Sequence, residues 1–149
     1  MTPEELLERR RTIFEFMEKV LEEINTTFAE HEVTLPEKQF FDVGANEAPH
    51  DCEQVSVAFQ QMYNGIPGNP DQVPTPCMGP RTASFVIEIV RCTPVMERKL
   101  RGGPLQPPSE EDLNTSAERQ VIDGWLLMDA ALTAAQNFAL NGGLADVLV

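Results

Sequence analysis

Cysteine, histidine, basic charge and long apolar runs are all scarce in this chain. Its three cysteines, Cys52, Cys77 and Cys92, form no CxxC pair, and its two histidines, His31 and His50, stand far from any metal-ligand spacing. An odd cysteine count argues against a disulfide framework. The N-terminus is charged and helical in pattern and lacks the apolar core of a signal peptide, so synthesis in the cytoplasm is the expectation. No apolar run reaches the roughly 18 residues of a membrane span, so no membrane association is expected. Lys and Arg number 11 against 24 Asp and Glu, a net charge of −13. A field of that sign repels phosphate and disfavours broad nucleic-acid binding, while DNA could still slide past an acidic wall without sticking to it.

Catalytic patterns are missing too. There is no GxSxG, P-loop, GxGxxG or HExxH. His50-Asp51-Cys52 sets three reactive residue types side by side, but neighbours on a strand point to opposite faces, so adjacency alone makes no Cys–His pair. Glu110-Glu111-Asp112 suits the first turn of a helix, where negative charge meets the positive end of the dipole, better than an acid/base pair. No catalytic residue, cofactor site or metal site is therefore predicted, and the chain reads as a binding or assembly protein and not as an enzyme.

What is present fits one domain, 1–149. A chain of 149 residues can bury roughly 70% of its unfolded surface and needs no staple to fold. Thr2-Pro3-Glu4-Glu5 forms a capping box with proline at the first helical position. From Ile13 onward the apolar residues Phe14, Met17, Val20, Leu21, Ile24 and Phe28 recur at helical period, which predicts a helix over 3–30. Arg9-Arg10-Arg11 interrupts its acidic side, either as part of a solvated face or as a contact for an acidic partner surface. Val33 to Val43, broken by Pro36, predicts a short strand near 39–43 at a sheet edge.

The two clearest strands follow, over 52–63 and 81–92. In the first, Val55, Val57, Phe59 and Tyr63 alternate with polar residues, the mark of a half-buried strand. In the second, Phe85, Ile87 and Ile89 share a face. Between them, 64–80 carries Pro67, Pro70, Pro74 and Pro76 with Gly65, Gly68 and Gly79, and is longer than most hairpin connections. It predicts a projecting arm. Pairing Tyr63 with Arg81 in an antiparallel hairpin sets Cys52 opposite Cys92, at about 4.5–5.5 Å between Cα atoms and within disulfide reach. Two reduced thiols are the simpler expectation; a bridge or a metal role is the alternative.

Thr93 to Pro108 is a polar crossover holding the basic cluster Arg98, Lys99 and Arg101. Ser109 then caps a helix over 109–140. Its apolar stripe is Leu113, Ala117, Val121, Trp125, Met128, Leu132, Ala135 and Phe138, widened by Ile122, Leu126, Ala130 and Ala134. So broad an apolar circumference predicts burial on more than one side, part of it at a subunit interface. Trp125 reads as a core or interface anchor. Leu144 to Val149 predicts a short terminal strand. The expected class is α+β, a small antiparallel sheet with a long central hairpin packed by an N-terminal and a C-terminal helix.

The block Ala48-Pro49-His50-Asp51-Cys52-Glu53-Gln54-Val55, the Pro/Gly loop with Cys77, Pro80-Arg81-Thr82-Ala83 and Glu88-Ile89-Val90-Arg91-Cys92-Thr93-Pro94-Val95 resembles neck proteins of tailed phages that infect actinobacteria. These are head-to-tail connectors and tail terminators. The resemblance covers 48–95, with a weaker continuation over Ala117 to Ala131. The element order is similar to the tail-terminator fold, whose members carry a longer C-terminal strand than the one ending at Val149. It implies a virion subunit forming a homo-oligomeric ring of six copies, with the major tail tube protein and the head connector or stopper as partners and DNA only as passing cargo. The expected contacts are Ile66, Pro67, Pro70, Val73, Pro74 and Met78 on the arm, Trp125 and Met128 on the second helix, and Arg98 and Arg101 on the crossover. The rival reading is a small acidic cytosolic protein that regulates or inhibits a host partner by imitating nucleic acid.

Overall fold

The computed structural model describes residues 2–44, 52–66, 69–70, 81–98 and 100–141. The element order is α1 (Pro3–Glu30), β1 (Lys38–Val43), β2 (Gln54–Ile66), β3 (Asn69–Pro70), β4 (Arg81–Val90) and α2 (Glu110–Leu140). The class is α+β. The predicted terminal strand at 144–149, most of the arm over 71–80, and Pro67 lie outside the described residues.

Both helices start where their caps dictate. The Thr2 hydroxyl accepts from the Glu5 N–H while the Glu5 carboxylate accepts from the Thr2 N–H, and Pro3 occupies the first turn. The Ser109 hydroxyl accepts from the Asp112 N–H, with Glu110, Glu111 and Asp112 at the positive end of the α2 dipole.

The sheet is mixed and not antiparallel. Lys38 to Val43 pair in parallel with Gln54 to Phe59, and β4 runs antiparallel on the other side of β2. Hydrophobic period sets which face a strand shows and says nothing about its direction, so the sequence could not separate the two orders. The hairpin register also departs from expectation. Tyr63 opposes Thr82 and Arg81 opposes Asn64, because the pairing slips by one residue between Phe59 and Gln61. That bulge leaves Gln60 unopposed. Below it, Gln54 faces Val90, which carries Cys52 to Cys92 as expected. The two are joined in a disulfide with Cα atoms 4.7 Å apart. This corrects the simpler expectation of reduced thiols. The arm begins later than expected, since β2 continues through Ile66, and Gly65 and Ile66 pair back onto Pro70 and Asn69.

The first part of the central strand, Gln54 to Ala58, is buried on both faces. Val55 and Val57 sit on the helix side, while Gln54, Ser56 and Ala58 are also buried on the reverse. Beyond Ala58 the strand is half-buried as expected, with Gln60, Gln61 and Met62 exposed. β1 and β4 flank it, and the small Ser56 and Ala58 lie between the larger Phe40 and Glu88, and Asp42 and Val86. The Gln54 side-chain amide is buried with no hydrogen-bond partner, and nothing in the structure explains it.

The core lies between the sheet and α2, with α1 in the middle. Met17, Val20, Ile24 and Phe28 of α1 meet Val57 on one side and Leu126, Ala130 and Ala134 of α2 on the other. Phe16 packs at a tilt against Phe85 of β4 and edge-to-face with Phe138 of α2, at ring-centroid distances of 4.7 and 5.3 Å. Alanines on α2 let the two helix backbones approach closely.

Candidate functional site

Two features outside the ordinary core stand out: a buried ionic latch at the foot of the hairpin, and an uncovered apolar face on α2.

The latch centres on Arg91, one residue past β4. Its guanidinium is buried. Nε and one terminal nitrogen donate to the two carboxylate oxygens of Asp123 at 2.8 and 2.9 Å, a bidentate pair. The same terminal nitrogen donates to the Thr34 carbonyl at 2.8 Å, and the other reaches Glu53 at 3.3 Å. Glu53 also accepts from the Cys92 N–H at 3.0 Å. One side chain therefore ties together the α1–β1 connection, the start of β2, the end of β4 and the middle of α2. The disulfide closes the same corner.

The local backbone is set for this task. Glu53 has φ +64°, in the left-handed region that costs a side-chain-bearing residue energy. That turn aims its carboxylate at Arg91 and at the Cys92 N–H. Burial by itself works to raise the Glu53 pKa. The hydrogen bonds from Cys92 and Arg91, with the charges of Arg91 and Arg119, reverse that, and the net direction is down. The Arg91 pKa is raised, first by its hydrogen bond to Asp123 and against the pull of desolvation. A guanidinium so paired stays charged and neutralises its corner. Four of its five N–H donors are engaged in this way, so the latch holds elements together.

Every residue of the latch that lies on the hairpin comes from the two strand ends that carry the bridged cysteines. Cys52-Glu53-Gln54 and Val90-Arg91-Cys92 meet because the register brings them together. Sequence reasoning singled out the cysteines and missed Arg91, Glu53 and Asp123. One signal was available: Asp123 sits among apolar residues on α2, at a position where a charge needs a partner.

The uncovered face is on the opposite side of α2. Val121, Trp125, Met128 and Leu132 recur at helical spacing and are exposed by 60, 66, 43 and 37%. Trp125 is thus no core residue in the single chain. The expected stripe faces outward from Leu113 to Leu132, while its last members Ala135 and Phe138 are covered; of its widening, Leu126, Ala130 and Ala134 face the core and Ile122 is exposed. The first half of the helix, up to Trp125, is covered on the Asp123 side alone, and the second half is covered over a wider arc that takes in Ala135. Gly124, exposed beside this face, has open space where a Cβ would stand.

The remaining expected contacts are scattered. Arg98 and Arg101 are exposed on a loop pinned by paired backbone bonds between Glu97 and Gln106. Ile66 and Pro70 lie in the short β2–β3 ladder. Pro67, Val73, Pro74 and Met78 fall outside the described residues. His31 is an exposed helix cap whose ring nitrogen meets the Thr27 carbonyl; His50 lies outside the described residues. Among the described residues, no group of three or more His, Cys, Asp or Glu side chains could hold a metal ion, and no helix is long and apolar enough to cross a membrane.

Comparison with protein-family models, with curated proteins and with solved structures finds no match to this chain.

Proposed function

We propose that this chain is a structural, non-catalytic subunit of the head-to-tail neck of a tailed phage, most consistent with a tail terminator: a ring that caps the tail tube and meets the head connector. The observation that carries the assembly part is the outward face of α2. A tryptophan, a methionine, a valine and a leucine stand in line on a helix already anchored by its other side. Contiguous apolar surface of this kind marks an interface. The neck part rests on the resemblance over 48–95, whose most distinctive residues form the Arg91 latch and the disulfide. In this reading they hold the shape of a subunit. The net charge of −13 suits the wall of a channel through which DNA passes, since it repels phosphate. Ring closure, contact with the tail tube and residence in the virion belong to the same proposal.

The test is location. An antibody or tag on this chain should label the neck of intact particles in electron micrographs. Label recovered only with a host protein, and none on particles, would replace this reading with that of an acidic regulator.

A further inference from the structure

The latch has two halves of unequal quality. Arg91 holds Asp123 at 2.8 Å, and the two side chains are exposed by only 4 and 1%. It reaches Glu53 at 3.3 Å, and the Glu53 side chain is exposed by 39%. Arg119 of α2 also faces Glu53, at 4.0 Å, and is itself exposed. A short, buried, bidentate pair is stronger than a long one open to water. The Asp123 half therefore stands on its own geometry, while the Glu53 half needs help to stay formed.

That help comes from the bridge. β2 begins at Gln54 and β4 ends at Val90, so Glu53 lies one residue outside the ladder. It leaves the extended conformation at φ +64°, where a residue with a side chain is strained. Left to itself, such a residue relaxes to negative φ, and the turn would carry its carboxylate off Arg91. Cys52, its neighbour in the chain, is fixed to Cys92 across the hairpin at 4.7 Å between Cα atoms. The Glu53 turn is thus bounded on both sides, by the bridge before it and by the strand after it. The Cys92 N–H, donated to the Glu53 carboxylate at 3.0 Å, belongs to the same clasp. Both cysteines are exposed, so a dissolved thiol can reach the bond.

We infer that the Cys52–Cys92 bond is a reversible redox catch on the Glu53 half of the latch. When closed, it holds the Glu53 turn against Arg91 and the Cys92 N–H. When opened by a dithiol, it lets that turn relax and the carboxylate leave, while Arg91 stays on Asp123 and Thr34 and the fold remains. A thiolate of the dithiol attacks one cysteine sulfur, the S–S bond breaks, and the other cysteine leaves as thiolate. The second thiolate of the dithiol then displaces the first cysteine and closes the reagent's own disulfide. Two electrons and two protons end on Cys52 and Cys92 as thiols. Reductants of this class abound inside cells and are scarce outside them, so the catch is open in the one medium and closed in the other. The inference rests on the geometry of this corner and not on the neck reading.

The test uses the full chain with Cys77→Ser, so that no third thiol competes for the bridge. NMR follows it oxidised, reduced with dithiothreitol, and reoxidised. In the oxidised chain the Glu53 carboxyl should titrate below its ordinary 4.5, because against the upward push of burial stand the Cys92 N–H, Arg91 and Arg119. In the reduced chain that titration should move up towards 4.5. Free thiols ionise at about 8.5 and stay neutral throughout that range. Exchange of the Cys92 N–H should quicken about tenfold or more on reduction. The Arg91 Nε–H, held by Asp123, and the amides of Val55 and Val57 should keep their protection. Reoxidation should restore every value, and Cys52→Ala with Cys92→Ala should reproduce the reduced state without reagent. A reduced chain in which the Glu53 titration stays depressed and the Cys92 N–H stays protected overturns the inference, since the bridge would then not hold the turn. So does a reduced chain that loses the Arg91 Nε–H or the β2 amides as well, which would make the bridge a staple of the whole fold. None of these readouts depends on association, so their failure leaves the neck proposal to the labelling of particles.

Discussion

The two sides of α2 invert the ordinary relation between hydrophobicity and burial. The inward side is Asp123, Leu126, Ala130, Ala134 and Ala135. The outward side is Val121, Trp125, Met128 and Leu132, larger and more apolar. The inward side wins the core because small side chains let α2 lie close on α1, and because Asp123 finds a full set of partners in Arg91. The outward side keeps its bulk exposed. Within the single chain, its exposed residues stabilise little. The inward side should thus govern folding and the outward side association.

Substitutions can break this contrast in a definite order. The largest effect belongs to Asp123→Leu. Removing one partner of a buried pair leaves the Arg91 charge stranded, and a loss of about 3–5 kcal/mol in denaturant-measured stability is expected. Adding Arg91→Met should recover most of it, since an apolar pair of similar volume is tolerated. A double variant no more stable than Asp123→Leu would show that the two residues do not act as a pair.

Next comes the disulfide, which joins residues 40 apart in sequence. Replacing both Cys52 and Cys92 by serine should cost about 2–4 kcal/mol, read as a shift in the urea midpoint, while association of the folded chain is kept. The effect of Gln54→Leu is smaller and opposite in sign. The buried amide has no partner, so removing it should raise stability by about 1 kcal/mol, measured the same way.

Acid gives a further, graded handle. The Glu53 pKa is lower in the folded chain than its ordinary value of 4.5. A depressed carboxyl stabilises the fold fully above that ordinary value and loses its contribution as pH falls through the folded pKa. A stability profile should therefore drop below about pH 4.5, and Glu53→Gln should flatten that part of the drop. An unchanged slope in the variant would remove Glu53 from the latch. The smallest effect is that of Trp125→Ala on the monomer, within about 0.5 kcal/mol of wild type, although the same change is expected to impair association.

Much of the fold was legible because local chemistry settled it. The capping box of α1, the serine cap of α2 and helical period placed the two helices, and alternation placed the long strands. The reasoning failed where an outcome depended on what lies across from a residue. Nothing in β1 reveals that it runs parallel to β2. The bulge at Gln60 depends on both strands of the hairpin, so the register guess was off at Tyr63 and correct at Cys52. On α2 the period was clear, yet two apolar stripes shared the helix, and only packing against α1 decides which is core. Arg91, Glu53 and Asp123 escaped notice for the same reason. They are far apart in sequence, and Arg91 and Glu53 look like ordinary surface charges until the sheet and α2 bring them to Asp123, whose apolar neighbours were the one sign on offer.

Trp125 is the chain's one tryptophan, so its fluorescence reports on the outward face of α2 and nothing else. Emission and acrylamide quenching should be followed as the protein is concentrated. A solvated, readily quenched indole in dilute solution, shifting to the blue and losing quenching in step with rising mass, is the expected result. An indole already shielded in the dilute monomer, or one that stays fully quenchable in the assembled protein, would contradict the assignment of this face to assembly.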